Sequence, residues 1–256
     1  MSQCKDIAGA VEQAPALVKA CELALSARQG LPDILCDRVM KRTWSEIVIS
    51  AGGTAEEQKY SDVVTAKVRY VDGQEHYEDV RINGRVVDAK APQLSGTWSD
   101  GELGPILTDI FLPSAKTTFR FEKERTHQSR KALVFRYRVE AQNNRSYVLH
   151  VDSTSWYPAY GGRLWVDGQS LQLLRLERET DYMPTELMRQ MKTAVDYADL
   201  TMGDKTTLVL PVQSTVLICM PPPMLGLRDI CAHHSITFTN WHKFRGTVKV
   251  LPDTAH

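Results

Sequence analysis

The densest group of ligand-type side chains in this sequence is Cys219, Cys231, His233 and His234, with His242 following. Thiolate and imidazole are donors that zinc prefers. Their spacing fits no structural zinc pattern, and adjacent histidines on a strand point to opposite faces, so no metal site is expected here. Cys219 and Cys231 instead bracket the Pro-rich stretch from Met220 to Ile230, where a disulfide would join the two ends of a loop. Closing a loop of about 12 residues stabilises by roughly 3 kcal/mol in an oxidising compartment. Cys36 is the competing partner for either thiol. Cys4 and Cys21 can meet only if Pro15 or a nearby turn folds the N-terminal segment back on itself. There is no C-x-x-C pair, and five cysteines leave at least one thiol free or paired between chains.

A second group, His150, Asp152, Ser153 and Ser155, holds the residue types of a hydrolase triad. Close positions on one strand cannot bring nucleophile, base and orienting carboxylate into line, so these side chains are expected on the wet face of a strand. Asn144-Arg145-Ser146 matches a glycosylation sequon, but its position reads first as a hairpin turn. Glu122, Glu124, Glu177 and Glu179 alternate with Arg and Lys, and are expected to form wet-face pairs worth a few tenths of a kcal/mol each. No G-x-S-x-G elbow, Walker loop, Rossmann glycine fingerprint or H-E-x-x-H motif occurs. The expectation is a protein that is not an enzyme and uses no cofactor. The competing enzymatic reading is a hydrolase or metal enzyme using Cys231, His233 and His234.

The aromatic residues point elsewhere. Trp98 precedes a stretch with Leu103, Ile106, Leu107, Ile110 and Phe111 at helical spacing, while Trp156, Tyr157 and Tyr160 surround Pro158 ahead of Gly161-Gly162. Large side chains beside such a loop can line the mouth of an apolar pocket between sheet and helix. The expected ligand-binding set is therefore Trp98, Leu103, Leu107, Phe111, Trp156, Tyr157 and Tyr160. The alternative is a closed core with ordinary aromatic packing.

The elements that position these residues follow from hydrophobic period. From Asp6 to Gln29 the apolar residues Leu17, Ala20, Cys21, Ala24 and Leu25 form a helical stripe, with Pro15 starting a helix or dividing the segment. Beyond Leu35 the period becomes two: Val64, Ala66, Val68 and Tyr70 alternate with Thr65, Lys67 and Arg69, Leu133, Phe135, Tyr137 and Val139 alternate with Val134, Arg136 and Arg138, and Tyr147, Leu149 and Val151 lie opposite Val148, His150 and Asp152. Asp72-Gly73, Asn83-Gly84, Asn143-Asn144 and Asp167-Gly168 supply hairpin turns between them. About ten strands at this spacing predict an antiparallel sheet. Two helical breaks are expected, one capped by Ser99 with Glu102 and ended by Pro113, the other from Pro184 to Gln190.

The fold class read from these signals is α+β, a long curved antiparallel sheet with an N-terminal helix and short helices packed on it. The chain of 256 residues is expected to be one domain, with a helical segment over 1–30, the sheet over 35–250 and the short helix near 100–112. Acidic and basic residues balance at 31 each, which removes the electrostatic case for nucleic acid as a partner. No apolar run approaches the ~20 residues of a transmembrane helix. The start, Met1-Ser2-Gln3-Cys4-Lys5-Asp6, has neither the basic nor the apolar region of a signal peptide, so either the protein is cytoplasmic or a signal has been removed.

One late hairpin reads Gly162-Arg163-Leu164-Trp165-Val166-Asp167, then Leu173-Leu174-Arg175-Leu176-Glu177. With the N-terminal helix and long sheet, it resembles the lipoprotein-carrier superfamily, which takes in LolA, LolB and the RseB-type stress regulators. Leu31-Pro32-Asp33-Ile34-Leu35-Cys36 and Ser95-Gly96-Thr97-Trp98-Ser99-Asp100-Gly101-Glu102 also resemble uncharacterised exported bacterial proteins. The resemblance implies an unclosed β-barrel whose concave apolar face is covered by helices, and a periplasmic or otherwise extracytoplasmic location. It further implies a non-enzymatic binding role toward a hydrophobic small molecule or a lipidated protein. An envelope interaction or regulatory module with a packed interior is the alternative.

Overall fold

The computed structural model describes residues 2–30, 33–50, 53–71, 73–87, 97–151, 154–180, 188–221 and 229–243. The chain opens with a helical hairpin, α1 (Ser2–Ala8) and α2 (Ala14–Gly30). Gly9 and Gln13, at φ 49° and 61°, turn the backbone between them, and Pro15 sits in the first turn of α2, where its missing N–H costs no hydrogen bond. The turn brings Cys4 onto Cys21, and the two form a disulfide. Leu17, Ala20, Cys21 and Ala24 are buried, as their helical spacing requires.

Among the described residues thirteen strands follow: β1 (Ile34–Ser50), β2 (Gly53–Val71), β3 (Gln74–Ile82), β4 (Arg85–Val86), β5 (Thr118–His127), β6 (Arg130–Val139), β7 (Leu149–Val151), β8 (Thr154–Trp156), β9 (Tyr160–Asp167), β10 (Leu173–Thr180), β11 (Gln190–Thr201), β12 (Thr207–Met220) and β13 (Ile230–Lys243). Eleven of them make one open antiparallel sheet in the order β4-β3-β2-β1-β13-β12-β11-β10-β9-β6-β5, and β7 pairs only with β8. This order decides what lies on the sheet. Strands β4 and β5 are consecutive in the chain but form opposite edges, and residues 97–109 of the segment between them lie across the buried face, in contact with β1 and β10. That segment contains α3 (Pro105–Asp109), and Ile106, Leu107, Ile110 and Phe111 bury themselves in it or just beyond it.

The buried face carries two apolar clusters. One joins the three helices to β5, β6 and β9–β11; the other joins Leu103 to β1–β3, β12 and β13. Alternation places Val64, Ala66, Val68 and Tyr70 inward, as it does Phe135, Tyr137 and Val139. Asn83-Gly84 is a hairpin turn with both residues at positive φ, and Asp167-Gly168 opens the β9–β10 turn.

Two local expectations are corrected. Ser99 does not cap a helix: α3 begins after Gly104 with Pro105 in its first turn, and Ser99 Oγ donates to Glu102 Oε1 over 2.9 Å within a non-helical stretch. Glu75, from β3, takes the amides of Gly101 and Leu103, so local capping is displaced by a distant carboxylate. Asn143-Asn144 is not a hairpin turn, because β6 pairs with β9 and the chain leaves through a 3₁₀ turn at Ala141–Asn143 toward β7. The β5–β6 hairpin turns instead at Gln128 and Ser129, both at positive φ without glycine. Of the second expected helix, residues 181–187 lie outside the described residues, and Gln190 begins β11.

Candidate functional site: a covered apolar face crossed by a polar row

Residues directly opposite on neighbouring antiparallel strands share a face. The pairings Asp62↔Arg42, Arg42↔His234, His234↔Val216, Val216↔Thr193 and Thr193↔Arg178 therefore draw one transverse row from β2 to β10. Every member of that row is buried. It is flanked on one side by Val64, Met40, Ile236, Ser214, Val195 and Leu176, a row in which only Ser214 is polar. Two guanidiniums and an imidazole thus cross an otherwise apolar surface, and Arg38 joins them two residues before Met40 on the same face.

What these groups hold is the crossing segment, residues 97–109. Arg42 makes a two-pronged pair with Asp62, at 2.8 and 2.6 Å, and donates its remaining nitrogen to the Thr97 carbonyl at 3.1 Å. His234 Nε2 meets Thr97 Oγ1 at 2.7 Å. Arg38 donates to the Ser99 carbonyl at 2.8 Å, lies 3.7 Å from Glu102 and stacks under the Trp98 ring at 4.5 Å. Arg178 donates to the Ile106 carbonyl at 2.9 Å between the rings of Tyr147 and Tyr160, with Asp109 3.7 Å away. From the sheet edge, Glu75 accepts the amides of Gly101 at 3.1 Å and Leu103 at 2.8 Å, together with the Tyr77 hydroxyl. At Gly104 the segment passes so close to β2 that a Cβ would sit 2.6 Å from the Tyr70 hydroxyl.

The cover is therefore fastened mainly by sheet side chains to its backbone carbonyls and amides. Hydrogen bonds to charged groups are worth about 1.5–3 kcal/mol each, but burying the guanidinium takes back part of that. The fastening is directional rather than adhesive: it fixes where the segment lies while the apolar clusters supply the contact area.

Electrostatics sharpen this. Glu75 is half-buried as a residue, yet its carboxyl turns inward; burial first, then the nearby Glu102 carboxylate, push it up to about 7. His234 is driven down to about 3 by burial and then by Arg38 and Arg42, so it is neutral at physiological pH. Burial pushes the unpaired Cys36 thiol up to about 12 and makes it inert as a nucleophile.

The seven residues expected at a pocket mouth are distributed over this face. Trp98, Leu103 and Trp156 pack in the cluster of β1–β3, β12 and β13, Leu107, Phe111 and Tyr160 in the helical cluster, and Tyr157 is 52 % exposed. Tyr147 packs against both clusters. Arg38, Arg42, Arg178, His234 and Glu75 were not singled out by sequence reasoning as parts of one site. A signal existed in β1, where Arg38 and Arg42 keep the phase of Ile34, Cys36 and Met40.

The other constellations resolve separately. Cys219 and Cys231 are direct partners across β12 and β13 and form a disulfide. His233 faces away from His234 and meets Glu56 at 2.8 Å. His150 Nδ1 and Ser155 Oγ lie 3.0 Å apart on an exposed surface, while Asp152 and Ser153 lie outside the described residues. The Asn144 side chain is buried, donating to the Tyr147 and Pro158 carbonyls, so the sequon is a structural clasp. Glu122, Glu124, Glu177 and Glu179 pair with Arg163, Lys131, Arg175 and Lys192, and part of this charged face lines a hollow of about 770 Å³.

No protein-family model matches the sequence, and no curated protein matches it. Among solved structures, a domain described as an outer membrane lipoprotein-sorting protein from Vibrio parahaemolyticus aligns with 90% of this chain and 94% of its own at 11% identity and TM-score 0.41. A DUF1329 family protein from Desulfovibrio piger aligns over 90% and 93% at 10% identity and TM-score 0.38. A LolA superfamily protein from Nitrosomonas europaea aligns over 93% and 96% at 10% identity and TM-score 0.35.

Proposed function

We propose that this is a non-enzymatic extracytoplasmic binding protein that takes a hydrophobic small molecule, or the lipid anchor of a partner protein, against the buried face of its sheet. The observation that carries this reading is the cover. Residues 97–109 add no strand to the sheet and are tied to it by Arg38, Arg42, Arg178, His234 and Glu75. Such a segment can lift without breaking a strand pairing, and lifting it exposes the polar row and the apolar side chains of the two clusters. Trp98, Leu103, Leu107, Phe111, Trp156, Tyr157 and Tyr160 then border the opened face. An oxidising, extracytoplasmic compartment accords with the two disulfides, Cys4–Cys21 and Cys219–Cys231.

Native mass spectrometry of protein purified from cells, lipid extraction, and titration with a fluorescent fatty acid test the reading. Co-purifying lipid and saturable uptake are the expected results. Absence of both sinks the carrier reading and leaves an interaction module with a packed interior.

A further inference from the structure

The buried face carries more polar groups than the cover uses. Six side-chain atoms there have no hydrogen-bond partner among the described residues: Arg38 Nε, Arg178 Nε, Glu102 Oε2, Tyr197 Oη, Ser214 Oγ and His234 Nδ1. The residues are at most 7 % exposed. An orphaned buried polar atom costs about 1–3 kcal/mol, and folded proteins keep such atoms few. Five of them belong to sheet strands and the sixth, on Glu102, to the segment that crosses the sheet. Arg178 and His234 belong to the polar row, and Ser214 lies in the next row on β12. The Tyr197 hydroxyl feels the charges of Arg178 and Glu102, and His234 feels that of Arg38, so the groups converge from β1, β10, β11, β12 and β13.

We infer that the centre of the covered face is a subsite for an uncharged, hydroxyl-bearing head group of an amphiphile. The inference rests on the binding function proposed above and adds the chemistry of the ligand. Charge decides against an ionised head: Arg38 already faces Glu102, and Arg178 faces Asp109, each at 3.7 Å. An added carboxylate or phosphate would enter an already neutralised site and meet the Glu102 oxygen. Hydrogen-bond type decides against a head that only accepts. The two guanidinium N–H groups can only donate, Glu102 Oε2 offers an acceptor, and the two hydroxyls can do either. A head with hydroxyl groups satisfies both kinds; an ester alone satisfies the donors and leaves the carboxylate orphaned.

The test uses the full chain with its disulfides intact and Nile red as the displaced probe. Three competitors share one acyl chain: the monoacylglycerol, the fatty acid at pH 8 and the fatty acid methyl ester. The monoacylglycerol is expected to bind about tenfold tighter than either of the others, the equivalent of one or two hydrogen bonds. Tyr197→Phe is expected to remove most of that preference, read as the ratio of monoacylglycerol to methyl ester affinity. Ser214→Ala, the smaller change, serves if Tyr197→Phe does not fold. Equal affinities for the three competitors, or a preference untouched in both variants, overturn the head-group subsite while leaving the binding function standing. Failure of all three to displace the probe, with no fatty-acid uptake, overturns both.

Discussion

Replacing Arg178 with Met removes the guanidinium that ties α3 to the sheet while keeping a flexible side chain of similar reach. The loss comprises a charged hydrogen bond to the Ile106 carbonyl at 2.9 Å and ring contacts with Tyr147 and Tyr160 at 4.4 and 4.8 Å. These amount to about 1.5–3 kcal/mol for the hydrogen bond and roughly 0.5–1 for each ring. Against them stands relief from burying a guanidinium whose paired carboxylate among the described residues, Asp109, is 3.7 Å away. A net loss of about 2 kcal/mol remains, equal to about 30-fold in an opening equilibrium. Hydrogen exchange read by mass spectrometry gives the assay, because local opening of the cover is measured apart from unfolding of the sheet. Peptides covering 97–109 are expected to exchange about 30-fold faster in Arg178→Met, with the centres of β12 and β13 changed far less. If cover and strand centres accelerate by one common factor, or the cover does not respond, the segment is not a separately fastened unit.

Four further outcomes follow from the same structure. Glu75 is held at about 7 with the cover closed, against an ordinary 4.5, so the closed form binds the proton more tightly. Closure is then strongest below pH 4.5 and weakens as pH rises toward 7. After correction for intrinsic exchange, opening of 97–109 should grow on the order of 100-fold across that window, and Glu75→Gln should flatten the profile; a wild-type profile that is flat refutes the coupling. Arg42→Met strands the buried Asp62 carboxylate and should cost about 3–5 kcal/mol in urea unfolding, most of it recovered in Arg42→Met/Asp62→Leu; a small loss in the single variant would show the pair is not shielded from water. Replacing Cys219 and Cys231 by Ala should cost about 2–3 kcal/mol, since the disulfide spans a sequence separation of 12. Thiol titration of the native wild-type protein should find no reactive group, and one, Cys36, in denaturant.

Much of this molecule is legible from short windows of sequence. Period-two alternation orients Val64, Val68, Phe135 and Tyr137 inward because a pleated strand leaves no other choice. Asn83-Gly84 turns a hairpin because both residues tolerate positive φ, and Leu17, Ala20 and Ala24 meet the core because helical spacing puts them on one stripe. Cys219 and Cys231 pair because strands bracketing a short loop come back alongside each other. Local signals failed where a distant group competed for the same backbone. The capping pattern at Ser99 and Glu102 yields to Glu75, whose carboxylate takes the amides at 101 and 103. At Gln128 and Ser129 the pairing of β5 with β6 imposes positive φ on residues that do not advertise it.

By itself, then, the sequence determined the strands, their wet and dry faces, the N-terminal helical stripe and the apolar character of residues 103–111, all properties of local geometry. Only the tertiary structure decided that β1 lies beside β13 and that β4 and β5 stand at opposite edges. Those two facts draw the chain between β4 and β5 across the sheet and turn it into a cover. They also turn arginines, which composition alone would assign to the surface, into buried fastenings. Arg42 meets Thr97 across 55 positions, Arg38 meets Ser99 across 61, Arg178 meets Ile106 across 72 and His234 meets Thr97 across 137. A buried charge is tolerated only where its partners are assembled around it, and here that assembly depends on how distant strands pair.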